Sequence, residues 1–142
     1  MLKQIIRYLG GAFSFMKKPW LARLIRSCRI HFESGMYKSV FKEFGDNSVL
    51  AHPRVIEGAN CICIGDSCSI LEGIVLTAIE NWQGLSYTPQ ILIGSNCCIG
   101  RLCHITCINK VIIKDNVLIG AEVTITDHNH GGVEKTNRSF LP

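Results

Sequence analysis

From Ile62 to Ile125 the apolar residues recur in pairs at an interval of six. Three segments align: Ile62-Cys63-Ile64-Gly65-Asp66-Ser67-Cys68, Ile91-Leu92-Ile93-Gly94-Ser95-Asn96-Cys97 and Val111-Ile112-Ile113-Lys114-Asp115-Asn116-Val117. One member of each pair gives the series Ile64, Ile70, Leu76; Ile93, Ile99, Ile105; Ile113, Ile119, Ile125. The other, two residues earlier, gives Ile62, Cys68, Ile74; Ile91, Cys97, Cys103; Val111, Val117, Val123. All of these positions are apolar or cysteine, while those between them are mixed and often polar. A helix of about 3.6 residues per turn cannot keep residues six apart on one face over this length, and an ordinary strand alternates without a reset. A triangular coil does reset, with three one-hexad strands and about 18 residues per turn, and it stacks its inward pairs into a continuous column. The pattern predicts an all-β parallel β-helix.

The interruptions keep the frame. Ile64 and Ile93 lie further apart than one such turn, and the surplus falls on the loop 80–90, with Trp82, Gly84, Tyr87 and Pro89. Ile93 and Ile113 exceed a turn by only a dipeptide, near Asn109-Lys110. Gly65, Gly94, Gly100 and Gly120 each follow an inward aliphatic residue, where a repeated turn favours a missing Cβ. Upstream, Val49–Gly58 reads as an imperfect first coil with Leu50 and Ile56 inward. Residues 1–45 carry no hexads. Ile5, Ile6, Leu9 and Phe13, then Trp20, Leu21, Leu24 and Ile25, predict two short amphipathic helices, the first interrupted by Gly10-Gly11 and the two separated by Lys17-Lys18-Pro19. The organisation expected is an α-helical arm over 1–45 and a solenoid domain over 46–142.

Charge sharpens this division. Residues 1–45 hold nine Lys/Arg against Glu33 and Glu43, a balance of +7, and residues 46–142 hold six against nine acids, a balance of −3. The arm is expected to pack on the end of the solenoid or on a neighbouring subunit, with attraction to an anionic membrane as the alternative. No motif accompanies the charge to suggest nucleic acid. No apolar run approaches the roughly 18 residues of a transmembrane helix, and Lys3, Arg7, Lys17 and Lys18 fall where a cleaved signal peptide would be apolar or small. The location expected is cytoplasmic, at the inner face of the plasma membrane where the arm engages it. The eight cysteines lack the CxxC pairs of a zinc ribbon. Cys68, Cys97 and Cys103 are read as small interior residues, and Cys61, Cys63, Cys98 and Cys107 as outward or at corners.

The recurring aliphatic-Gly-x-x-small pattern resembles the hexapeptide-repeat acyltransferases over about half the chain. The stretch from Val111 to Ile125-Thr126-Asp127-His128-Asn129-His130-Gly131 is more specific. It is similar to maltose and galactoside acetyltransferases and, more closely, to O-acetyltransferases of bacterial surface-polysaccharide and lipopolysaccharide synthesis. The resemblance implies a left-handed coil and a homotrimer with active sites between subunits. It further implies acetyl-CoA as co-substrate, a sugar hydroxyl as acceptor, no metal, and a histidine as general base. The frame breaks at 127–132, where Asn129 and Gly131 are unsuited to inward positions. Ungapped alignment on Ile125 places the base at His130, whereas His128 requires a two-residue shift. Asp127 is placed to orient either ring, or to bond local backbone as turn aspartates often do. Asn129 and Gly100 are the expected acceptor contacts, Gly100 standing where relatives often carry an Asn. Relatives also continue for several coils beyond this loop, so the chain ending at Pro142 is expected to lack coils that complete the acyl-CoA cleft. Two rival expectations are a non-catalytic trimeric scaffold and a gamma-type carbonic anhydrase-like metal enzyme using His104, His128 and His130, although the last two lie too close together for that family's spacing.

Overall fold

The hexad frame becomes a stack of four coils in the computed structural model, which describes residues 2–12 and 18–129. Two helices, α1 (Leu2–Ala12) and α2 (Pro19–Tyr37), precede the stack. The first coil holds β1 (Glu43–Phe44), β2 (Val49–Leu50) and β3 (Val55–Glu57), and the second β4 (Ile62–Ile64), β5 (Ser69–Ile70) and β6 (Val75–Ala78). An antiparallel hairpin of β7 (Asn81–Trp82) and β8 (Leu85–Ser86) then leaves the stack. The third coil holds β9 (Gln90–Ile93), β10 (Cys98–Ile99) and β11 (His104–Cys107), and the fourth β12 (Lys110–Ile113), β13 (Leu118–Ile119) and β14 (Thr124–Thr126). Corresponding strands of successive coils pair in parallel, giving three four-stranded sheets: β1-β4-β9-β12, β2-β5-β10-β13 and β3-β6-β11-β14.

The register is the one the spacing predicts. Ile64, Ile93 and Ile113 are stacked partners, as are Ile70, Ile99 and Ile119, and Leu76, Ile105 and Ile125. Leu50 and Ile56 extend two of these columns downward. Phe44 completes the third. The first coil therefore begins at Glu43, a position that an aliphatic hexad pattern misses because its inward residue is aromatic. In the middle coils the inward residues are fully buried, whereas Val117, Ile119, Val123 and Ile125 of the fourth coil are only partly covered.

Coil corners explain the small and polar residues. Asn47, Ser67, Asn96 and Asn116, one per coil, all sit at φ between 55° and 60°, the left-handed region that Asn tolerates best among residues with a Cβ. The glycines that follow inward residues answer a different need. A Cβ on Gly65 would lie 2.7 Å from the backbone of Gly94, and one on Gly100 2.4 Å from that of Gly120, so these positions are closed by the coil above. Inward thiols have a further task. Cys68 donates to the Gly94 carbonyl (3.0 Å), Cys97 to that of Lys114 (3.1 Å) and Cys103 to that of Gly120 (3.0 Å), each reaching the next coil. Ser48, in the Cys68 column, does the same to Gly65 (2.6 Å). Cys107 departs from the sequence expectation: it is buried at the end of β11, because that strand continues inward for one more alternation beyond Ile105.

Helix α2 covers the lower edge of the stack. Ser34, buried on its inner face, accepts the Leu50 N–H (2.9 Å) and donates to the Ile30 carbonyl (2.7 Å), satisfying a strand edge that would otherwise lack a partner. Arg26 reaches Glu72 (2.7 Å), which also holds Arg101 (3.1 Å), and Lys38 reaches Asp46 (2.7 Å). Solvent screens such exposed pairs, so they orient the helix more than they hold it. Two local expectations are corrected. Gly10 and Gly11 lie within α1 instead of interrupting it, and α2 runs for 19 residues, started by Pro19 in its first turn. Among the described residues no helix is long and apolar enough to cross a membrane.

Ile99, fully buried with a partner above and below, is the test of the column. Ile99→Ala should destabilise by about 2–5 kcal/mol. Ile112→Ala, at a side chain 57% exposed on an outer face, should stay within about 0.5 kcal/mol. Urea unfolding midpoints of the two variants decide it.

Candidate functional site

Each coil is tied to the one below by a side chain that accepts backbone N–H groups at a corner. Asp66 accepts from Asp46 N (2.7 Å), Ser95 from Asp66 N (3.1 Å) and Asp115 from Ser95 N (2.7 Å). Asp127 is the fullest instance, at the corner between the third and fourth coils. Its Oδ1 accepts from Ile108 N (3.0 Å), and its Oδ2 from Asn109 N (2.8 Å) and Lys110 N (2.7 Å). These are the residues of the inserted dipeptide and its neighbour, whose extra N–H groups point to no strand. Asp127 lies one coil beyond Cys107, so the coil length itself sets it over them.

The remaining capacity of Oδ1 goes to a histidine. His128 Nδ1 lies 3.0 Å from Asp127 Oδ1, and the Thr126 hydroxyl oxygen lies 3.2 Å from the same nitrogen. Thr126 also donates to the His128 carbonyl (3.1 Å) and accepts its N–H (3.3 Å), closing a tight turn just after β14. The His128 and Asp127 side chains are only 8% and 14% exposed. Four contacts saturate the lone pairs of the carboxylate, which can neither rotate nor release the ring without losing a bond. Burial pushes the Asp127 carboxyl up, but the hydrogen bonds from His128 and from the three backbone N–H groups outweigh it and hold it below the ordinary aspartate value. The carboxylate fixes the orientation of the His128 ring through its Nδ1 edge.

Other sequence-selected residues lie elsewhere. Gly100 is buried at the corner between β10 and β11, where its N–H donates to the Ile119 carbonyl (2.9 Å); Asp127 stands at a different corner. Asn129 is exposed directly after His128. His130 lies outside the described residues. His104 faces outward at the start of β11, level with Thr124 of the coil above. Among the described residues no three His, Cys, Asp or Glu side chains converge as a metal-ligating group. Burial, followed by the charge of Asp127, pushes the Cys107 thiol up to about 11, so it is protonated and unreactive at neutral pH. Burial likewise raises Cys61 and Cys63, each with an acidic neighbour, Glu80 or Glu43.

Sequence reasoning missed the 108–110 backbone as a partner of Asp127 and Thr126 as a partner of His128. It also missed an open cleft of about 600 Å³ along the outer face of the β1-β4-β9-β12 sheet. Leu92 and Ile112 line this cleft together with Lys42 and Lys114. Asp127 and His128 do not line it, but Lys110, whose N–H Asp127 holds, begins the β12 strand that runs along it. No family model matches the chain, and neither the curated proteins nor the solved structures yield a match.

The lowered carboxyl has a pH signature. In the unfolded chain an aspartate titrates near about 3.9, above the folded value, so its stabilisation is complete at neutral pH and is lost as pH falls through the folded value. Asp127→Asn should cost about 1–3 kcal/mol at neutral pH, with the gap to the wild type closing as pH drops below about 4. Unfolding curves across that range measure it, and a gap independent of pH would remove the carboxylate from the account.

Proposed function

We propose that this chain is the catalytic domain of an O-acyltransferase. It belongs in this reading to the left-handed parallel β-helix type, works as a homotrimer, and moves an acetyl group from acetyl-CoA to a sugar hydroxyl in surface-polysaccharide synthesis. The observation that carries the proposal is the Asp127–His128 pair, a carboxylate-oriented imidazole at the edge of a parallel β-solenoid. A sugar hydroxyl is a weak nucleophile and needs its proton removed as it attacks. His128 Nε2 takes that proton, and the hydroxyl oxygen bonds to the thioester carbonyl carbon. The carbon–sulfur bond then breaks, and the imidazolium returns the proton to the departing sulfur, leaving the acetyl ester and the free thiol of CoA. Asp127 fixes the ring and stabilises its transient charge. The cleft on the β1-β4-β9-β12 sheet offers Leu92 and Ile112 to the apolar arm of an acyl donor, with Lys42 and Lys114 beside Glu43 and Asp115 along its lining. Leu102 and Leu118, at 55% and 78% exposed, are apolar surface for the trimer to cover.

A second reading rests on the same carboxylate. Three of the Asp127 bonds go to backbone, so a purely structural cap in a non-catalytic scaffold also uses this residue. Acetyl transfer from acetyl-CoA to candidate glycans separates the two. His128→Ala should lower kcat/KM by about 10²- to 10⁴-fold, while the folded state persists. Loss on His130→Ala instead would move the base to that residue. Activity unaffected by either change would leave the scaffold.

A further inference from the structure

Helix α2 is apolar on the face that the solenoid does not cover. Ser34 and Tyr37 turn toward the first coil, where Ser34 is buried and Tyr37 packs on the core. Trp20, Leu24, Cys28, Phe32 and Met36 follow one another at intervals of four, a row that winds slowly around the helix and, with Ile25, stays exposed along its whole length. Trp20 is 60% exposed, Leu24 52%, Ile25 53%, Phe32 71% and Met36 54%. Helix α1 adds Ile5 and Ile6, also exposed, with Lys3 and Arg7 exposed on the same short helix. A contiguous apolar ridge of this size marks a docking surface.

Charge selects the occupant. The cations in the later part of α2 and just beyond it are matched by acids: Arg26 by Glu72, Arg29 by Glu33 and Lys38 by Asp46. The earlier ones are not. Lys3, Arg7, Lys18 and Arg23 make no ion pair among the described residues, so α1 and the start of α2 each carry unmatched cations together with exposed apolar residues, Ile5 and Ile6 on the one and Trp20 and Leu24 on the other. A second copy of this surface would bring the same unmatched cations against each other, which disfavours self-pairing. Unmatched cations interleaved with Trp, Ile and Leu on amphipathic helices are what an anionic lipid surface takes, the apolar residues entering the acyl boundary and the cations meeting headgroup charge.

We propose that α1 and the first turns of α2 bind the surface of an anionic lipid bilayer, holding the solenoid beside it without crossing it. The proposal is independent of the acyl-transfer chemistry, because its readout is binding alone. The full chain carrying Trp82→Phe, which leaves Trp20 as the only tryptophan, is mixed with vesicles of phosphatidylglycerol and phosphatidylcholine or of phosphatidylcholine alone. The expected result is co-sedimentation and a blue shift of Trp20 emission with the anionic vesicles only. Release is expected as salt rises from about 0.1 M to about 1 M, which cuts the screening length from about 10 Å to about 3 Å. Lys3→Glu with Arg7→Glu should weaken binding about tenfold or more. Leu24→Glu with Ile25→Glu, at exposed positions that leave the fold intact, should abolish the blue shift. Equal binding to neutral vesicles, or no binding to either, overturns the proposal. So does concentration-dependent self-association that Leu24→Glu abolishes, which would assign the ridge to a second copy.

Discussion

The structure depends on parallel strands hydrogen-bonding to the same strand one coil away. Neighbouring strands in a sheet lie about 4.8 Å apart, and every residue of a coil must accept that spacing to its counterparts above and below. Inward side chains therefore form columns of near-identical shape, and the Ile-rich interior follows. Residues that turn a corner leave almost no room above them, which is why Gly65 and Gly100 lack a Cβ while Gly120, with nothing above it among the described residues, meets no such obstacle. The same closeness turns inward Ser48, Cys68 and Cys97 into donors to the coil above. A thiol is small enough for the column and still has a proton to give.

The candidate site uses this device at the edge of the stack. The second, third and fourth coils each spend one side chain, Asp66, Ser95 or Asp115, on a corner of the coil below, and at the end of the fourth coil Asp127 adds a further one, with enough lone pairs for three N–H groups and a ring. Its orientation of His128 thus comes from structure that the solenoid needs in any case, the pair sitting in a turn directly after β14 that is tied to the corner of the coil below. In the proposed reading, structural and catalytic demands meet on one carboxylate.

Helix α2 manages the opposite end. It meets the exposed backbone of β2 with a serine and the acidic corners with arginine and lysine, and it keeps its largest apolar side chains away from the solenoid. A helix serving only as a plug would bury Trp20, Phe32 and Met36. Their exposure gives this end of the molecule a second surface, chemically unlike the uncharged core below it.

The periodicity of the sequence determined the solenoid: the columns of Ile64, Ile70 and Leu76, the coil register and the place of the extra residues were all legible, because a repeat of six has few other folded solutions. Phe44 was hidden because an aromatic replaced the aliphatic residue, and Cys107 because its strand runs one alternation past the hexad. The site was legible only as a short run of polar residues, Asp127 to His130. Which ring the aspartate holds could not be read from spacing, since both histidines lie within reach in sequence. Tertiary structure sets His128 against this carboxylate and fixes the carboxylate itself on the 108–110 corner, a full coil earlier in the chain, and contacts between coils are invisible to a local pattern; His130 lies outside the described residues. The outward ridge of α2 was decided the same way. Amphipathic spacing says that a helix has an apolar face, and only packing says whether that face is covered.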